Sequence, residues 1–475
     1  MELKSIHISV LAASVVHSNR SKEVFVWSVW LIMLVVALVC IAQYGRNIPL
    51  AEDWNLVQPI TGNEPNLAKW LWAQNNEHRL PLPRLTMLIL LKVTNGDFRA
   101  GMFFNAITLG VLAFSMILVA RHLRGGRTSF ADAFFPIALL HIGNWPNLVW
   151  SWQLSFVLPT ALICAALLVI VSHQTITTPG PAVVAGTCLV LIPLCGANGL
   201  LFVPLLALWF SYCGVLNWYS VKTKGGRQWI GGFLIGSAGI ALGLIALYFV
   251  GYERPSWNPP SPGLGATLKT TAKFLALSFG PVAAKSWHLS VVVTVGFLLI
   301  SGGVAVLGVL RHKGLERHRA LGVLLFFGNI ALFAIVMGWG RSGLVPTVGL
   351  PIRYVLFAVP ALCTAYFIWE LYGSAKLRTA VQMGLLLGMC ILLPFNMMEG
   401  LQWGDWYRKG MNAVEQDILA GIPRSALAER HRDFLVHWWT EDQLAAGMQM
   451  LKDTGIGPFV LMKEEPRNLK EDLTK

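Results

Sequence analysis

Apolar residues in this chain gather into long runs, and the polar segments between them are mostly short. A helix needs about 20 apolar residues to cross ~30 Å of hydrocarbon. Eleven runs read as crossings, near residues 25–43, 101–120, 130–143, 154–172, 182–195, 198–216, 229–250, 290–310, 320–338, 351–372 and 379–397. The pair at 182–216, broken by CGANG, also suits a re-entrant hairpin. With the N-terminus inside, the basic loops RHLRGGR (121–127), VKTKGGR (221–227), RHKGLERHR (311–319) and KLR (376–378) all fall on the cytoplasmic side, as the positive-inside rule requires. The reading is an all-α polytopic membrane protein.

Two outer segments are too long to be turns. Residues 44–100 contain NLAKWLWAQ and PRLTMLILLKV, whose mixed faces suit juxtamembrane helices lying in the interface. Trp54, Trp70 and Trp72 fit the headgroup level, where indole is favoured. Residues 251–289 open with the Pro-rich YERPSWNPPSPG and continue into LKTTAKFLALSFG, a further interfacial candidate. After about residue 400 the pattern turns amphipathic at helical spacing through RSALAERHRDFLVHWWTEDQLAAGMQMLKDTGIG. This divides the chain into a membrane domain, 1–400, and a small helical segment on the outer face, 401–475.

Composition agrees with lipid. Apolar residues make up 55% and charged ones 13%, about half the charged share of a soluble domain. The run at 25–43 is long enough to span and lacks a small-residue cleavage site, so it reads as a retained helix. The seven cysteines lie in or beside apolar runs and read as small packing residues. The net charge of +13 comes from loops between spans. It is a topology signal and does not point to nucleic acid.

Acids are rare outside before residue 398: Glu52, Asp53, Glu64, Glu77, Asp97 and Glu253. Bases on that side are commoner, including Arg46, Arg79, Arg84, Lys273, Arg341 and Arg353. Outer bases run against topological preference. Phosphate would account for them, since guanidinium binds it bidentately and a cationic groove concentrates it; anionic lipid headgroups are the plainer alternative. Four stretches carry candidate chemistry. AEDW (51–54) sets two carboxylates side by side, which repel and favour pointing apart. NNEHR (75–79) offers Glu77, His78 and Arg79. HIGNWPNLVWSWQLSF (141–156) places Trp150 and Gln153 among amides and indoles that suit a sugar and equally suit an interfacial aromatic belt. GWGRSGLVPTVGLPIRYVLF (338–357) carries Arg341, Arg353 and Tyr354, and an Arg at a membrane edge wants a partner. No nucleotide-binding glycine loop, HExxH, CxxC pair or GxSxG elbow is present.

These motifs, taken with the layout of residues 25–400, resemble the GT-C class of integral-membrane glycosyltransferases. AEDW stands where that class carries an acidic first-loop motif, and GR…RY, Arg341 to Tyr354, is similar to members acting on polyprenyl-phosphate sugars. The resemblance implies Asp53 as general base, with Glu52 the fallback, and Glu77, His78, Arg79, Trp150, Gln153, Arg341, Arg353 and Tyr354 around the substrate. It implies a polyprenyl-phosphate sugar donor and a glycan, lipid or protein acceptor on the extracytoplasmic side. The motif reads EDW and departs from the DxD form, so a divalent cation is carried as an option only. The expected setting is a bacterial inner membrane with the site facing the periplasm or exterior. Two rivals stand beside this reading. An O-antigen polymerase or ligase would share the outer arginines but need no first-loop carboxylate pair. A lipid or sugar transporter or flippase would place ionisable groups near midplane, whereas the runs hold few acids or bases: Glu370 and, at their edges, Asp132 and Arg353.

Overall fold

The computed structural model describes residues 2–224 and 228–463 and is almost entirely helical. Among the described residues, eight helices are long and apolar enough to cross a membrane: Asn19–Tyr44, Arg99–Leu123, Ser151–Ser172, Gln228–Phe249, Pro281–Arg311, Gly314–Arg341, Ile352–Tyr372 and Ala375–Leu419. The chain is thus an all-α polytopic membrane protein. Burial sorts these helices. Ile352–Tyr372 is buried over 94% of its apolar window, whereas Asn19–Tyr44 is buried over 22%. A helix apolar on every face belongs in a core or against lipid; the first is a central post and the second a peripheral helix.

The other three expected crossings are not among these eight: two are broken or short, and the third lies in the single helix Val203–Lys224. At 130–143 the structure has a turn, the short helix Phe134–Leu140, a second turn and a helix Trp145–Val149. Pro136 and Pro146 start or interrupt these pieces, since proline removes an intrahelical donor. The segment nonetheless runs from Asp132, beside Arg124 and Tyr366, to Trp150, whose indole reaches the Leu50 carbonyl. Residues 182–195 lie in Pro179–Leu191 and the turn Ile192–Cys195, and 198–216 in Val203–Lys224. The CGANG break is a tight turn with Gly196 at φ +98°, a conformation glycine adopts without a Cβ penalty. Val203–Lys224 and Gln228–Phe249 pack closely where a Cβ on Gly214 or Gly231 would strike the other's carbonyl, the use small residues serve between membrane helices.

The basic loops 121–127, 311–319 and 376–378 share one end of the bundle; residues 225–227 of the fourth, 221–227, lie outside the described residues. There Arg124 bonds Asp132 and, at 2.7 Å, Glu370, which also takes Arg378 at 3.2 Å and Gln382 at 3.0 Å. Tyr366 donates to Asp132 at 2.7 Å. Glu370 is therefore fully partnered and structural, as a buried charge must be. The helix Ala375–Leu419 continues unbroken past residue 400. The chain then folds back through Arg424–Leu435 and Glu441–Asp453, and Trp439 and Phe459 close on Trp54 at 6.1 and 5.9 Å. The C-terminal segment therefore covers the first loop.

Candidate functional site

At the end opposite the basic loops, the chain leaves Tyr44 and turns through Ala51, a non-glycine residue at φ +52°. Such a conformation costs ~1–3 kcal/mol and persists only where surroundings enforce it. Residues Ala51–Leu56 then form a tight turn of helix. With about three residues per turn, neighbours point ~120° apart, so the paired carboxylates separate. Asp53 goes inward: it is fully buried, its Oδ2 accepts the Leu50 amide at 3.3 Å, and it lies within electrostatic range of buried Tyr407. Burial lifts its pKa well above the ordinary aspartate value. Glu52 turns the other way and lines a polar cavity. Its Oε2 is buried without a partner, and burial raises its pKa while the Arg353 charge opposes the rise.

The expected interfacial stretch contains a two-residue hairpin, Gln74 opposite Arg79 and Asn75 opposite His78, with Asn76 at φ +51° in the turn. It presents Glu77 at its tip. Tyr248 donates to the Glu77 carbonyl at 2.6 Å, and the Glu77 carboxylate pairs with Arg341. His78 Nδ1 accepts the Ala197 amide at 3.2 Å, leaving Nε2–H 3.7 Å from Glu77 Oε1. Burial and the Arg353 charge lower the His78 pKa to about 4, so the ring is neutral at pH 7. Arg79 serves differently. It donates four hydrogen bonds, to the carbonyls of Tyr248, Trp72, Val250 and Gly251, at 2.9–3.1 Å. It clamps the hairpin to the end of Gln228–Phe249 and has little left to offer a ligand.

Arg353 is the opposite case. It sits in the turn Ile352–Tyr354 ahead of the central post, and Asn147 donates to its carbonyl at 3.0 Å. Among the described residues its guanidinium has no hydrogen-bond or ion-pair partner. It is framed by the rings of Trp150, Phe156 and Tyr354, at 5.9, 6.0 and 5.9 Å. Trp150 itself is fixed by its bond to Leu50, 3.1 Å, so it is a wall behind Arg353.

Two cavities adjoin here. The smaller, about 70 Å³, is polar and is lined by Glu52, Glu77, His78, Gln153, Arg341, Arg353 and Tyr354 of the expected residues. The larger, about 390 Å³, has mostly apolar walls from Leu200, Leu201, Phe249, Val336, Met337 and Trp339. Glu77, His78, Asn198 and Arg341 line both. Seven of the ten expected residues therefore converge; Asp53, Arg79 and Trp150 stand behind them. Sequence reasoning missed Asn198, in the CGANG break, and the loop 252–258, which brings Tyr252, Arg254 and Asn258 to the large cavity and Trp257 to the small one. The signal was present in both places: a helix break and a Pro-rich connector carrying polar and aromatic side chains.

No three His, Cys, Asp or Glu side chains among the described residues converge as metal ligands. Chemically, the arrangement offers a carboxylate free to take a proton, an unpaired guanidinium facing it, and an apolar chamber leading to both. Comparison with protein-family models and with curated proteins finds no match for this chain.

Proposed function

We propose that this chain is a membrane glycosyltransferase that takes a sugar from a polyprenyl-phosphate donor and passes it to an acceptor on the extracytoplasmic side. One observation carries the reading. Arg353, which has no hydrogen-bond or ion-pair partner among the described residues, faces Glu52, whose Oε2 is buried without a partner, in a polar pocket that opens into an apolar cavity. An amphiphile with an anionic head suits that combination: its isoprenoid chain would occupy the apolar cavity, its phosphate the arginines, and its sugar the polar pocket. Glu52 is the base in this scheme, and Asp53, buried behind it, holds the loop. Glu52 takes the proton from an acceptor hydroxyl, whose oxygen attacks the anomeric carbon. The bond from that carbon to the phosphate oxygen breaks, and its electron pair leaves with polyprenyl phosphate. Arg353 and Arg341 stabilise the charge that develops there.

The remaining expectations fit the same reading. The broken segment 130–150 and the helices Pro179–Leu191 and Val203–Lys224 each link the two ends of the bundle, which favours eleven crossings. Pro81–Val93 buries Met87 and Leu91 but leaves Leu85, Ile89 and Val93 exposed, an apolar stripe suited to lying in the interface. The basic loops favour an orientation with the site outside the cytoplasm, and the short loops suit a bacterial inner membrane. The test is to incubate purified protein with radiolabelled polyprenyl-phosphate sugars and follow sugar transfer and release of polyprenyl phosphate. Turnover by wild type and Asp53→Asn but not by well-folded Glu52→Gln supports the proposal. No turnover with any donor, with lipid movement between leaflets instead, would replace it with a flippase.

A further inference from the structure

The Glu77–Arg341 ion pair sits at the seam where the apolar and polar cavities meet, and both residues line both. Each side chain is 16% exposed, so the pair is reachable and only partly screened. The Tyr354 ring lies 5.9 Å from the Arg341 guanidinium. The hairpin that carries Glu77 is held through main-chain groups, by Tyr248 on the Glu77 carbonyl and by the Arg79 clamp, so its position does not depend on the Glu77 carboxylate. His78 Nε2–H, 3.7 Å from Glu77 Oε1, is a second donor that the carboxylate can reach if Arg341 turns away. Arg353, by contrast, has no carboxylate to give up.

Resting on the glycosyltransferase reading, we propose that Glu77 is an exchange partner for the donor phosphate. It holds Arg341 in the empty site, yields it to the phosphate on loading, and reclaims it to help expel polyprenyl phosphate. The physical reason is competition: a carboxylate and a phosphate oxygen seek the same guanidinium fork, and two fully committed arginines would hold the departing dianion too tightly to turn over. Glu77 then acts on affinity and release, and takes no part in the proton transfer from the acceptor.

The experiment measures binding of a long-chain polyprenyl phosphate to the full chain in phosphatidylcholine nanodiscs, with the uncharged polyprenol as control. Glu77→Gln should bind the lipid phosphate about tenfold more tightly, and in turnover lower KM and kcat together because release slows. Arg341→Met should bind it at least tenfold more weakly, and adding Glu77→Gln to Arg341→Met should change nothing further. Weaker binding by Glu77→Gln, or an undiminished Glu77 effect without Arg341, would overturn the exchange role. A wild type that prefers the phosphate no more than the polyprenol would instead overturn the donor reading on which the proposal rests.

Discussion

Replacing Arg353 with methionine should sharply impair donor use while leaving the fold intact, and the same change at Arg79 should chiefly destabilise the fold. Both are arginines on the same side of the membrane and both are largely sheltered, but their donors are spent differently. Arg79 gives four hydrogen bonds to main-chain carbonyls. At ~1–1.5 kcal/mol each, and with the carbonyls left unpaired, its loss costs about 4–6 kcal/mol. Arg353 makes no such bonds. Its three ring contacts, at 5.9–6.0 Å, contribute ~0.5–1 kcal/mol each. They are opposed by the cost of keeping a guanidinium partly desolvated without a partner, which is of similar size. Removing it should therefore move the unfolding temperature by no more than a few degrees. In catalysis the loss is larger: a bidentate charge-assisted contact to phosphate is worth ~3–4 kcal/mol, a factor of about 10²–10³ in kcat/KM. The assay pairs thermal unfolding in detergent, read by tryptophan fluorescence, with donor turnover at equal folded protein. If Arg353→Met unfolds as early as Arg79→Met, and its activity merely tracks the folded fraction, Arg353 is a structural residue and the phosphate assignment fails.

The carboxylate pair gives a pH test. Because burial raises Glu52 above the ordinary range against the Arg353 charge, kcat should climb with pH along an acid limb lying above pH 4.5, and Glu52→Gln should lose about 10²–10⁴ in rate; a limb at or below pH 4.5 would remove Glu52 as base. Asp53 also has a raised folded pKa, so its contribution to stability is present at low pH and is lost as pH rises; Asp53→Asn, able to keep the Leu50 bond, should remain active and gain thermal stability relative to wild type toward pH 8. His78 has the opposite sign. With a folded pKa of about 4 against 6.5, it costs stability as pH falls between those values, by up to ~1.4 kcal/mol per pH unit, and His78→Gln or His78→Asn should flatten that slope in thermal unfolding. Gly196→Ala forces a side chain at φ +98° and sets its Cβ 2.7 Å from Leu80 Cδ2 and 3.3 Å from His78 Nδ1; a loss of ~1–3 kcal/mol and a displaced His78 should show as reduced unfolding temperature and raised donor KM.

The spans that face lipid were the most legible part of the sequence, because hydrocarbon tolerates nothing but a long apolar helix. The crossing at 130–150 was harder to read for the converse reason. It is buried inside protein, where Asn147 donates to Asn144 Oδ1 at 2.6 Å and to the Arg353 carbonyl at 3.0 Å, partners supplied by the fold that a search for runs of apolar letters does not see. The candidate site was legible as a neighbourhood, through arginines and acids just outside the spans. The direction of each side chain was not. Arg79 and Arg353 look alike in sequence, and what separates them is a set of carbonyls at 248–251, about 170 positions from Arg79 along the chain. Glu52 and Asp53 differ through the Ala51 turn and through Trp439 and Phe459, which arrive from the far end of the chain to pin Trp54.

That pinning bears on how the site works. The strained turn at Ala51 needs a surrounding structure that over-determines it, and the C-terminal segment supplies one by packing Trp439 and Phe459 on Trp54. His437, from the same segment, lies within electrostatic range of Glu52. Glu52, the proposed base, is thus aimed by a cover built from the end of the chain, while Arg353 and Arg341, the proposed phosphate ligands, are set by the central post and by Gly314–Arg341. In the proposed reaction the two halves therefore rest on different elements. Loosening the cover, for example by Trp439→Ala, should misplace Glu52 and lower kcat while leaving polyprenyl-phosphate binding unchanged. A parallel loss of lipid-phosphate affinity in that variant would mean that cover and arginines form one unit, and the division of labour argued from their separate supports would fall.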